Sequence, residues 1–220
     1  MGWAARQNIS NGLPRILATR LSTLRAAVDV QHLYRTGKHA ADRGTRFELP
    51  NGTHIFEADA ATIYAAALTA WLRSRGASVL TNDPTKRELV GPYEARQFQA
   101  APFNCYLACH LNADGGSYAS IEYMAGTAAD KLALSIGREI VRDFPTIGRA
   151  RSVPLTPRDR GSVCIRFIPT PNAAVIIEPF FGDNPAMHEL FAAPQLHQLG
   201  ETIGEGIAQW WERRAVVRVA

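Results

Sequence analysis

Four residues of this chain have the chemistry of a hydrolytic metal site: His32, Glu57, His110 and Glu178. Two imidazoles and one carboxylate are the ligand set of a catalytic zinc that keeps its fourth position for water. A further carboxylate, off the metal, is what hydrolysis needs to take a proton from that water and pass one to a leaving amine. Each residue also has a plainer reading. His110 ends an apolar run and could be a core histidine satisfied by a backbone carbonyl. Glu57 could be a first-turn glutamate favoured by the helix dipole. His39 and His54 lie near the same loop as His32 and compete with it as first ligand. His188 and His197, in the closing helical region, read as surface or core residues. Glu178 ends a buried run and precedes Pro179-Phe180-Phe181, where a carboxylate is costly unless it has a partner or a task.

These residues can act together only if strands deliver them to one place. The run over 105–109 is apolar and of strand length, and it stops at His110 before the turn residues Asn112-Ala113-Asp114-Gly115-Gly116. Buried strands of α/β proteins read this way. The run 26–30 ends at Gln31-His32, and 173–177 ends at Glu178. In a parallel sheet the carboxyl ends of strands converge on one edge, where ligands bind. From Glu57 the spacing of Tyr64, Leu68, Trp71 and Leu72 predicts a helix to about Arg75, with Gly76 as its C-cap.

Around these elements, 1–12 reads as a lead-in and 14–24 as a helix. Residues 33–56 form a long loop or hairpin, a length that is usually functional. Strands are expected over 77–81, 120–124 and 162–168. Helices are expected over 93–101, from a capping box at Thr127-Ala128-Ala129-Asp130 through Arg142, over 186–192 and over 195–213. Residues 145–161, with three prolines and two glycines, read as a loop. Strands alternating with helices predict an α/β, single-domain, three-layer sandwich: about six strands in a largely parallel, mixed sheet flanked by helices. The chain divides into a lead-in and helix over 1–25 and a catalytic domain over 26–220.

The composition fits a globular protein, with 46% hydrophobic and 20% charged residues and no run long enough to span a bilayer. The first 25 residues are broken by arginines and have no apolar signal-peptide centre, so synthesis in a cytoplasm without a signal peptide is expected. Three cysteines make no disulfide framework and read as reduced core residues. The net charge of +4 is uneven: residues 1–46 hold eight Lys/Arg against Asp29 and Asp42, and 137–166 hold seven Arg against three acids. Such basic segments suit nucleic acid, an anionic membrane or an anionic cell-wall polymer, or are simply solvated.

The sequence resembles the zinc-dependent N-acetylmuramoyl-L-alanine amidases of the type 3 family, found among autolysins and phage endolysins. Cys109-His110-Leu111-Asn112-Ala113 resembles the family's Ser-Ile-His-x-Asn-Ala. The run from Val175 to Asn184 resembles its strand ending Val-Glu-x-x-Phe-x-x-Asn. Glu57, with the helix to Gly76-Ala77-Ser78-Val79, resembles its Glu, helix, Gly-x-x-Val run. Tyr93-Glu94-Ala95-Arg96 resembles a Glu-Arg element before the central strand, and Asp42-Arg43-Gly44 an Asp-x-Gly in the loop. The order His, Glu, His, catalytic Glu is the family's, and the match runs from about residue 26 to 212. One departure stands out: the family has Asp-x-Gly-His-Gly-Gly at the first ligand, and this chain has Asp29-Val30-Gln31-His32-Leu33-Tyr34.

The resemblance implies a zinc amidase that cuts the bond between the lactyl group of N-acetylmuramic acid and L-alanine in peptidoglycan. His32, Glu57 and His110 would hold zinc, Glu178 would be catalytic and Asn112 would bind substrate. A phage-type endolysin acting on the wall as a monomer is expected, held by its basic segments on anionic wall polymers or outer-membrane lipid, with no specific nucleic acid partner. Two rivals remain. A zinc carboxypeptidase trimming stem peptides would want a basic pocket, for which Arg158 and Arg160 are candidates. A non-enzymatic cell-wall or nucleic-acid binder using the basic face would carry no stoichiometric metal.

Overall fold

Short runs rich in Ala, Val, Ile and Cys become strands because such residues suit a sheet covered on both faces. The computed structural model describes residues 21–32, 43–81, 103–166, 168 and 172–217. Its strands are β1 (Arg25–Val30), β2 (Arg46–Glu48), β3 (His54–Phe56), β4 (Ser78–Thr81), β5 (Cys105–Cys109), β6 (Ala119–Met124), β7 (Ala150–Leu155) and β8 (Ala173–Glu178). Its α-helices are α1 (Glu57–Ser74), α2 (Asp130–Asp143) and α3 (Ala193–Val217). Six strands form one sheet in the order β4-β1-β5-β8-β6-β7, while β2 and β3 pair as a separate hairpin. β4, β1, β5 and β8 run parallel; β6 is antiparallel to β8, and β7 is parallel to β6. This is the α/β sandwich with a mixed, largely parallel sheet that the alternation of elements predicts.

Strand alternation divides the core. Ala26, Val28, Leu107, Val175 and Ile177 face the three helices, which bury Tyr64, Leu68, Ile136, Ile140, Ile203 and Ile207 against them. Ala27, Tyr106, Ala108, Ala174 and Ile176 face the other way, with Phe103, Ile165 and Ile168 packed on them. α3 closes tightly on α1: a Cβ at Gly200 would lie 2.2 Å from the Tyr64 carbonyl oxygen. That contact is with backbone, so only glycine fits, and it fixes the helix that carries both Glu57 and Tyr64. α1 ends as expected, in a Schellman turn. Gly76 N–H donates to Arg73 O, Ala77 N–H donates to Leu72 O, and Gly76 takes φ +88°.

Three local expectations are corrected. Residues 150–155, expected as loop, form β7. An edge strand tolerates Pro154, which a central strand would not. Where a strand is expected over 162–168, the described residues instead form the end of a 3-10 helix over Arg160–Cys164 and the turn after it. Ser162 N–H bonds Asp159 O and Ile165 N–H bonds Ser162 O, so the segment caps the sheet face with Ile165 and Ile168 rather than joining its edge. The capping box at Thr127 does not form: α2 starts at Asp130, and the Thr127 hydroxyl donates to Met124 O at 2.7 Å.

The helix expected over 93–101, the Glu94-Ala95-Arg96 element, His39, Asp42 and most of 1–25 lie outside the described residues. Leu21 and Leu24 are fully buried in the core. Cys105 and Cys109 are buried free thiols, and burial pushes Cys105 up to about 12, where it stays protonated and inert. No helix among the described residues is long and apolar enough to cross a membrane.

Candidate metal centre and its carboxylate

The strand register sets the site. Val30, Cys109 and Ile177 lie in one row across the adjacent strands β1, β5 and β8. The ladder extends one step further, with Gln31 N–H on Cys109 O and His110 N–H on Ile177 O. His32, His110 and Glu178 therefore leave the sheet side by side at its carboxyl edge.

Glu57 reaches them from the first turn of α1. The helix needs no side-chain cap, because Glu57 N–H donates to Thr45 O and Ala58 N–H donates to Arg43 O. The Glu57 carboxylate, 4% exposed, turns inward instead of capping its own helix. Its Oε1 lies 2.8 Å from His110 Nδ1 and 3.8 Å from His32 Nε2. Leu111 N–H donates to the same oxygen at 3.3 Å, and Thr45 N–H donates to Oε2 at 3.1 Å. Burial works to raise the Glu57 pKa. The His110 hydrogen bond, the two imidazoles and the Thr45 amide outweigh it and hold the carboxyl below its usual range.

One donor atom from each of His32, Glu57 and His110 lies within 4.8 Å of the others, so the cluster can hold a metal ion. The two imidazoles meet edge to face, with centroids 5.3 Å apart. His110 is clamped further by Tyr64, whose hydroxyl donates to the His110 carbonyl at 2.8 Å. His110 Nε2 is buried with no hydrogen-bond partner among the described residues. The N,N,O donor set fits a zinc-type ion.

His32 takes the left-handed conformation, φ +62°. Where the amidase pattern has glycines around this histidine, here the histidine itself makes the turn, at a local cost of roughly 1–2 kcal/mol. Just before it, buried Asp29 accepts hydrogen bonds from Tyr106 OH and Gln31 Nε2. His54 is exposed on β3 and is not part of the cluster. His197 is exposed and sits 3.8 Å from Glu201 on α3.

Glu178 stands beside the cluster. Asn112 Nδ2 donates to Glu178 Oε2 at 2.7 Å. Asn112 is itself fixed on both sides, by its N–H on Phe180 O and its carbonyl accepting from Gly182 N–H. Asp183 accepts from the N–H groups of Asp114 and Gly115 and ties the loop after β5 to the loop after β8. Burial, then the negative charges of Glu122 and Glu57, push Glu178 up to about 8. Strand alternation hid Glu122 from the sequence reading. On β6 it shares a face with Ser120, which pairs with Glu178, but in sequence it looks like one more solvent-side residue.

Gly44 packs directly against the Glu57 side chain. It takes φ +73°, and a Cβ there would lie 2.5 Å from Glu57 Oε2. Gly44→Ala is therefore expected to destabilise the fold by roughly 1–2 kcal/mol and to weaken metal binding by displacing Glu57. Thermal melting with a metal titration checks this; unchanged affinity would mean that Glu57 tolerates the displacement.

The α/β sandwich superposes on solved N-acetylmuramoyl-L-alanine amidases, so the fold is the one those enzymes have. Three solved structures illustrate it. Cwp6 from Clostridium difficile superposes with a TM-score of 0.67 at 22% identity, covering 84% of this chain and 29% of that one. The N-acetylmuramyl-L-alanine amidase Ami1 from Mycobacterium smegmatis gives 0.64 at 13% identity, covering 88% and 99%. The catalytic domain of the CD27L endolysin, targeting Clostridia difficile, gives 0.58 at 16% identity, covering 84% and 97%. No family model and no curated protein matches the chain.

Proposed function

We propose that the protein is a zinc-dependent N-acetylmuramoyl-L-alanine amidase, hydrolysing the amide between the lactyl group of N-acetylmuramic acid and L-alanine in peptidoglycan. The observation that carries this reading is the convergence of His32, Glu57 and His110, with Glu178 held beside them by Asn112. His32, Glu57 and His110 would hold the ion. Zinc bound there supplies a Lewis acid for the amide carbonyl and acidifies water. Glu178 takes the proton of the attacking water and delivers it to the departing alanine nitrogen. Asn112 orients Glu178 through one amide hydrogen and keeps a second for the substrate. The two imidazoles and the Thr45 N–H keep Glu57 ionised, and Leu111 N–H helps hold it in place.

The fold is shared by a mycobacterial amidase and an endolysin catalytic domain, so the endolysin reading rests on the sequence expectations. Wall attachment through the basic segments would draw on fewer charges than the sequence suggests, because Arg142 is spent on Glu139, Asp143 and Glu205. The test of the reaction is digestion of purified peptidoglycan by zinc-loaded protein, followed by end-group labelling. New amino-terminal L-alanine is the expected product; released carboxy-terminal amino acids would favour the carboxypeptidase.

A base must be ionised to act, so the rate should fall as pH drops through the pKa of Glu178. Glu122→Gln removes a negative charge that raises that pKa. The acid limb of kcat/KM is therefore expected at lower pH than in the wild type. A limb that stays put or moves upward would show that Glu122 does not act on Glu178.

A further inference from the structure

The antiparallel turn of the sheet puts a second set of side chains at the catalytic edge. β6 and β7 run opposite to β8, so their amino-terminal ends lie where β8 delivers Glu178. Arg151 of β7 pairs with Ser120, and Ser120 pairs with Glu178. Paired residues project to the same face, so Arg151 lies two strand spacings from Glu178, on the order of 10 Å between Cα atoms. The Arg151 guanidinium is stacked on the Tyr118 ring at 3.9 Å from its centroid, and that of Arg149 lies 5.5 Å away. Tyr118 in turn packs edge to face on Phe181, three residues after Glu178, at 4.8 Å. Neither guanidinium has a carboxylate partner among the described residues, and both are exposed. The nearby Asp183 carboxylate is already taken up by two backbone N–H groups. Arg158 and Arg160, the basic residues singled out in sequence, follow the opposite end of β7.

An arginine held over an aromatic ring keeps N–H donors free and loses little side-chain entropy when it binds, which suits recognition of a carboxylate. We propose that Arg151, stacked on Tyr118 and backed by Arg149, is a subsite for a carboxylate in the peptide half of the substrate. The inference rests on the amidase reading. Unmodified glycan is neutral once its lactyl group is in amide linkage, so the anionic groups of the wall substrate sit in the stem peptide. An arginine pair about 10 Å from the catalytic carboxylate marks the direction in which that peptide leaves. The residues on either side of the scissile bond would then bind differently: metal and Glu178 at the amide, guanidinium and aromatic ring along the peptide.

The test compares N-acetylmuramoyl-L-alanyl-D-glutamate with its diamide, on zinc-loaded wild type and Arg151→Gln. In the wild type the diamide should show a KM about tenfold higher, the equivalent of one charge-assisted contact. Arg151→Gln should raise KM for the diacid by about the same factor, leave kcat within about twofold, and leave the diamide unaffected. Equal KM values for diacid and diamide in the wild type would overturn the proposal. So would an equal loss on both substrates in the variant. Binding of the dipeptide L-alanyl-D-glutamate, followed by NMR titration, reads the subsite without catalysis. If neither muramoyl compound is cleaved, the amidase reading fails. The dipeptide then decides the subsite alone: weaker binding to Arg151→Gln upholds it, and equal binding removes it.

Discussion

Glu178→Gln is expected to lose on the order of a hundred- to ten-thousand-fold in peptidoglycan cleavage while keeping fold and metal, because that is what a general acid–base group contributes. Glutamine fills the same volume, so the buried Phe180 and Phe181 should pack as before. Its amide oxygen can still accept the hydrogen bond from Asn112, so the loop after β5 stays anchored. What it cannot do is take a proton from water. A small residual rate that rises with pH should remain, since hydroxide then does the carboxylate's work. The acid limb set by Glu178 should disappear with it. Turbidity clearance measured beside zinc content checks the prediction. Near-normal clearance with metal retained would make Glu178 a structural carboxylate, and loss of metal would make it a ligand.

His110→Ala is expected to abolish zinc binding and, with it, activity. The ring supplies one of the donor atoms gathered within 4.8 Å, and it is the partner of Glu57 Oε1 at 2.8 Å. Without it, Glu57 is a buried carboxylate short of a partner, and two donors remain where a hydrolytic zinc needs three. A ligand present at a hundred times its Kd stabilises the folded state by about 2.7 kcal/mol. For a domain of this size that is roughly 5–10 °C in Tm. The wild type should show a zinc-induced shift of that size, reversed by a chelator, and His110→Ala should show none. The difference with and without zinc is the informative quantity, because the substitution also leaves a cavity that lowers Tm by itself. A shift that survives in the variant would place the ion elsewhere.

Two of the candidate site residues, His110 and Glu178, stand where buried parallel strands end. β5 and the start of β8 are buried at every position, so they read as unbroken apolar runs, and the first polar residue after each marks the sheet edge. That is why His110 and Glu178 were legible. Glu57 stood at a helix start, where a glutamate is ordinary, and only the hairpin at β2 and β3 together with Thr45 shows why it turns inward. Pro154 and Pro157 hid β7, because proline argues against a strand unless the strand is known to be an edge. With β7 unseen, the row Arg151, Ser120, Glu178 could not be drawn. The expected strand over 162–168 is instead a 3-10 turn, since short apolar runs do not distinguish the two. The left-handed backbone at His32 has no sequence signal beyond the missing glycines.

The account turns on one ion shared by His32, Glu57 and His110. Metal analysis of the purified protein, with each of the three replaced singly by alanine, tests it most directly. About one zinc per chain in the wild type, lost in every variant, is the predicted result. A wild type without stoichiometric metal, or variants that retain it, would contradict the assignment.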